Sequence, residues 1–86
     1  MSIEEDAALL GSLAQELPFA QADELIIAIE NLVNSLWAIV GSNVSHHLVH
    51  DASEKLKVAV SHVEECKAAM AGAGDDIVNY IGVITG

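Results

Sequence analysis

Positive charge is what this chain lacks most. Lys and Arg together number 3 against 13 Asp and Glu, a formal net charge of -10 over 86 residues. Such a surface repels polyanionic nucleic acid and anionic lipid, so neither is expected as a partner. Cysteine is nearly absent as well. With Cys66 alone, no internal disulfide can form, and the fold must hold without a covalent staple. Aromatic residues make up 3% of the chain, which leaves any core few large anchors. The longest run without formal charge, residues 31–50, is broken by Asn, Ser, Gly and His, so no membrane span is expected. The first eight residues, MSIEEDAA, are acidic where a cleavable signal peptide would be basic. The expected location is therefore cytoplasmic, or secreted without a cleavable signal.

What is present is aliphatic: 52% of the residues are apolar, drawn mainly from Ala, Val, Ile and Leu. A chain of this length makes one domain at most, here residues 1–86, with a small core. The clearest order lies in the second half, where Val49, Ala52, Leu56, Ala59, Val63, Cys66 and Met70 follow alternating spacings of three and four. That is a heptad seam, the mark of a helix packed lengthwise on another. Ser53, Glu54, Lys55, Lys57, Ser61, Glu64, Glu65 and Lys67 are expected to face water, with Val60 widening the seam and Val58 lying off it. In the first half Leu25, Ile29, Leu32 and Leu36 form a matching seam. A second stripe, Ile26, Val33, Trp37 and Val40, lies beside it. Together they make an apolar face wider than one antiparallel neighbour covers, so the second stripe is the expected contact with a further helix.

The bend between the two arms is assigned to Gly41, Ser42 and Asn43. Gly ends a helix by accepting positive φ, and Ser or Asn can cap the next one. Ser2 and Glu5 have the spacing of a capping box, and Ile3, Ala7, Leu10, Ala14 and Leu17 carry a heptad up to Pro18. A five-residue step from Leu17 to Ala22 predicts a kink or break there. Pro18 is placed in the first turn of the next helix, with Asp23 and Glu24 near its dipole. Gly72 and Gly74 are expected to weaken the last helix before Ile77, Tyr80, Ile81 and Ile84 resume, as a final short helix or a bent continuation. The expected fold is all-α: an antiparallel helical hairpin with its first arm kinked near Pro18 and a short C-terminal helix. Helices are placed over residues 3–16, 19–40, 44–71 and 75–84, and hairpins are expected to associate into a helical bundle.

Reactive residues are few. His46 and His50 are four apart, as are His47 and Asp51, a spacing that can share a metal on one helix face. Zinc wants a third and fourth ligand, however, and none is evident, so no metal or other cofactor is expected. Four imidazoles could instead lower the negative charge in acid. Cys66 with His62 could form an activated thiol, but a seam cysteine behaves as a small hydrophobe. Glu4 and Glu5, Glu64 and Glu65, and Asp75 and Asp76 splay about 100° apart on a helix and do not converge. No catalytic residues are assigned, and an enzyme is not expected. Trp37 is either core filler near the bend or an anchor for a partner, Trp being frequent among residues that carry binding energy.

A hairpin of nearly ninety residues with Trp37 and Gly41 close to its bend, in the segment WAIVG, resembles the WXG100 (ESAT-6-like) family. The family has one residue between its Trp and Gly where this chain has three, and the segment YIGVI beginning at Tyr80 lacks the acidic residue of the family's secretion signal. The resemblance implies a helix-turn-helix protein that dimerises and is exported by type VII secretion or escorts a toxin to it, with Trp37 and Gly41 as packing residues near the turn. Function is accordingly expected in protein–protein interaction, with the chain itself or with a helical partner such as a secreted toxin or its targeting region. The alternatives are an acidic immunity or antitoxin-type inhibitor of a basic partner, and a structural subunit of a larger helical assembly.

Overall fold

A computed structural model describes residues 2–41 and 47–86, all helical or connecting, with no strand among them. Three helices follow in order: α1 (Ile3–Gln15), α2 (Phe19–Val40) and α3 (His47–Thr85). Ser42, Asn43 and His46 lie outside the described residues, so the cap assigned to Ser42 and Asn43 is not described.

α1 starts where the capping residues predict. Ser2 is extended, at φ -88° and ψ 160°, and its hydroxyl accepts the Glu5 backbone N–H at 3.1 Å. Glu4, Glu5 and Asp6 then place negative charge at the positive end of the helix dipole. The helix closes at Glu16, whose N–H is shared between the carbonyls of Ser12 and Leu13, a bifurcation common at helix ends. Residues 16–18 interrupt the helical run. Pro18 has no N–H to give and disfavours helical geometry in Leu17, and Phe19 donates back to the Leu17 carbonyl at 2.8 Å. Since α2 begins at Phe19, Pro18 stands just before the helix. Its first turn carries no acidic residue, so Asp23 and Glu24 sit beyond the turn where the dipole is felt.

α2 ends at Gly41, which takes φ +65° and donates its N–H to the Trp37 carbonyl at 2.8 Å. That left-handed geometry is where Gly terminates helices at little steric cost. α3 departs from expectation, because it runs unbroken from His47 to Thr85 through Gly72 and Gly74. A helical Gly costs about 1 kcal/mol relative to Ala and does not by itself stop a helix. Gly74 has a packing role: a Cβ there would stand 3.3 Å from Leu17 Cδ1.

The chain divides into two compact units, one of Met1–Phe19 with Lys67–Gly86 and one of Ala20–Cys66. In the first, α1 and the last part of α3 border an open apolar hollow lined by Leu9, Leu10, Leu13, Tyr80 and Ile84. In the second, α2 pairs with the beginning of α3. Trp37 touches Ser53 and His50, while Val33 shares a hollow with Val60, so the two helices run in opposite directions.

Burial corrects the stripes. Along α3 the less exposed residues are Val49, Ser53, Leu56, Ala59, Val60, Val63, Lys67 and Met70, continued by Gly74, Ile77, Ile81 and Ile84. The expected seam shares Val49, Leu56, Ala59, Val63 and Met70 with this set. Ser53 and Lys67 were expected to face water, yet Ser53 is buried and Lys67 partly covered, whereas Ala52 and Cys66 are exposed. The i+3 and i+4 positions lie 100° apart on a helix, and apolar content favoured the wrong one. On α2 the covered side straddles the two stripes. Ile26 is the one buried apolar residue of the helix, Ile29 and Leu36 of the assigned seam are partly covered like Val33, Trp37 and Val40, and Leu25 and Leu32 of that seam are exposed.

Candidate protein interaction surface

Trp37 ties α2 to α3. Its indole N–H donates to Ser53 Oγ at 3.2 Å, and its ring meets His50 edge-on at a centroid distance of 5.1 Å and 66° between planes. Ser53, 1% exposed, is the most covered side chain described. An indole half-buried in an aliphatic seam favours an acceptor for its one donor, and a seryl hydroxyl on the facing helix supplies it. Among the described residues no buried side-chain nitrogen or oxygen is left without a partner. Of the two accounts of Trp37, the geometry gives it an intramolecular contact. Ser53 is the residue that sequence reasoning missed, and the donor demand of Trp37 was the signal that pointed to it.

The four residues assigned to an external contact, Ile26, Val33, Trp37 and Val40, thus form the side of α2 that is most covered within its own unit. Exposure falls on neighbouring positions instead: Leu25 at 49%, Leu32 at 58% and Ile39 at 84%. Of the turn residues, Gly41 adopts the expected conformation.

The ion pairs of α3 are solvated. Lys57 Nζ lies 3.4 Å from Glu54 Oε1, and His62 Nδ1 lies 3.4 Å from Glu65 Oε2, both pairs one helical turn apart and well exposed. Exposed pairs of this kind contribute little to stability. The pairing of His46 with His50 falls partly outside the described residues, and among those described no three His, Cys, Asp or Glu side chains gather as a metal group. Cys66 is an exposed free thiol on α3. No helix among the described residues is long and apolar enough to cross a membrane.

What remains as a chemical feature is apolar surface. Twelve large apolar side chains among the described residues are exposed, while Ile26 alone is buried, so the folded chain leaves most of its aliphatic content in contact with water. Comparison with protein-family models, with curated proteins and with solved structures finds no match to this chain.

Proposed function

We propose that the chain is a non-enzymatic protein–protein interaction module, an antiparallel helical hairpin of WXG100-like type that associates with itself or with a helical partner such as a secreted toxin or its targeting region. The observation that carries this reading is exposed apolar surface: twelve large apolar side chains among the described residues face water while Ile26 alone is buried. Leaving single apolar residues in water is ordinary, but so many on a small helical protein mark an association site. The resemblance to the WXG100 family, resting on Trp37 and Gly41 near the bend, supplies the suggested partner class.

The net charge of -10 favours a second reading, an acidic inhibitor that plugs a basic active site. Salt separates the two. Helix-seam pairing survives high ionic strength, whereas charge-driven inhibition weakens steeply. The direct test is co-purification from the native cell followed by mass spectrometry, together with sedimentation of the purified chain. A well-folded solitary species at high concentration that also ignores every co-expressed neighbour overturns the interaction reading.

A further inference from the structure

The unit Ala20–Cys66 presents one face whose spacing, charge and side-chain sizes fit a second copy of itself. On α2 and the beginning of α3 a central stripe recurs every seven residues, through Ile29 on α2 and Leu56 on α3, and is partly covered. The residues four positions further on turn into the helix pair, among them Ile26, Val33, Ser53 and Val60. The residues three positions further on turn out of it: Leu25, Leu32 and Ile39 on α2, and Ala52, Ala59 and Cys66 on α3. The three on α2 are exposed, as are Ala52 and Cys66, with Ala59 partly so. Steps of three and four residues fall about 60° to one side and 40° to the other of the starting residue. Reversing one helix of an antiparallel pair reverses that sense, so both outward stripes emerge on the same side. Apolar residues at two core-facing positions plus a third are the pattern of helices that touch two neighbours in a bundle.

Two further features select a second copy as the occupant. Every Asp and Glu of this unit falls at other positions of the seven-residue cycle, and the outer flank of the face carries Gln21, Ala28 and Ser35 on α2 and Leu48, Lys55 and His62 on α3, the last paired with Glu65. A chain of net charge -10 can approach its own copy only across a surface free of acid. The sizes also complement. With Trp37 opposite Ser53, Leu25, Leu32 and Ile39 stand roughly level with Cys66, Ala59 and Ala52. A two-fold axis parallel to the helices keeps those heights and lays the large stripe of each copy over the small stripe of the other. We propose, building on the interaction reading above, that two copies form an isologous four-helix bundle through this face, α2 of each copy over α3 of its partner.

Sedimentation equilibrium and non-reducing electrophoresis test it on the full chain. The wild type sediments with the mass of a dimer. Leu32→Asp, at an exposed position, and independently Ile39→Asp keep their helical circular dichroism and sediment as monomers. Val58→Asp, on another face, remains a dimer. Leu25→Cys treated with a mild oxidant links to Cys66 of the second copy and runs as a covalent dimer, and adding Cys66→Ser abolishes the link. A wild-type dimer that survives both Asp substitutions, or a Leu25→Cys disulfide formed only within one chain, overturns this face while leaving association intact. A monomeric wild type that binds another helical protein overturns self-pairing alone, and one that also binds nothing overturns the interaction reading with it.

Discussion

The two units of the molecule hold their helices together by different means. In the unit Ala20–Cys66 the seam has a buried aliphatic residue, Ile26, and one polar clasp, Trp37 to Ser53. In the other unit no described residue is buried, and closeness is gained by subtraction, Gly74 letting Leu17 approach α3. A hydrogen bond from a half-buried indole fixes register, because slipping α3 by one residue would strand a donor that has no other acceptor. A small residue fixes only distance. The unit Ala20–Cys66 should therefore melt as the more specific and the unit of Met1–Phe19 with Lys67–Gly86 as the more easily repacked, and the contrast can be broken at several points.

The largest effect is expected at Ile26. Replacing it by Asp places a charge at the one buried apolar position among the described residues and should cost at least about 3 kcal/mol, abolishing the thermal transition seen by circular dichroism or lowering it by more than ten degrees. Leu25→Asp, one residue away and half exposed, should leave folding nearly intact. Equal destabilisation by the two would mean that α2 is rotated from the orientation described.

Next is the clasp. Trp37→Phe removes the donor and leaves the Ser53 hydroxyl covered without it, an expected loss of about 1–3 kcal/mol. Ser53→Ala should cost a similar amount, and the double substitution less than the sum, a coupling of about 1 kcal/mol read from urea denaturation. Additive losses would show that the bond contributes nothing beyond packing.

These cases also show what the sequence made legible. The breaks at Pro18 and at Gly41, the cap at Ser2 and the helical character of every segment were visible, because each rests on local backbone chemistry. The phase of the seams was not. Residues 52 and 53 compete for the same contact, and hydrophobicity favours Ala52. Only the demand of a distant indole for an acceptor selects Ser53, and that is a tertiary fact. Lys67 misled similarly, since its aliphatic stem can be covered while its ammonium reaches water. On α2 both stripes were seen but the covered side takes half of the assigned seam, Ile29 and Leu36, together with the second stripe, because Leu and Ile fill either equally well and only burial against α3 distinguishes Ile26 from Leu25. Gly72 and Gly74 misled in the opposite direction, a local weakness outweighed by the helical run on either side.

At Gly41 the expected effect is smaller. Ala there must adopt φ +65°, which costs about 1 kcal/mol. For a domain of this size that is a fall in Tm of about 4–8 °C, and Gly41→Asn should recover part of it because Asn tolerates the left-handed region better.

The smallest effect, and the sharpest measure of the unit of Met1–Phe19 with Lys67–Gly86, lies in the difference between two glycines of α3. At Gly72 a Cβ would meet nothing within 4 Å, so Gly72→Ala should gain the helix propensity, about 1 kcal/mol. At Gly74 the same gain is set against a Cβ 3.3 Å from Leu17 Cδ1, the mobile end of a side chain. If Leu17 can turn aside, Gly74→Ala stabilises nearly as much as Gly72→Ala. If the approach of α1 depends on that gap, the gain shrinks or changes sign. Thermal melts of the two variants report the difference directly, and Gly74→Ala combined with Leu17→Ala should restore the propensity gain relative to Leu17→Ala alone. Should the two Gly variants gain equally in every background, distance in this unit is set elsewhere and the contrast with the Trp37 clasp loses its second half.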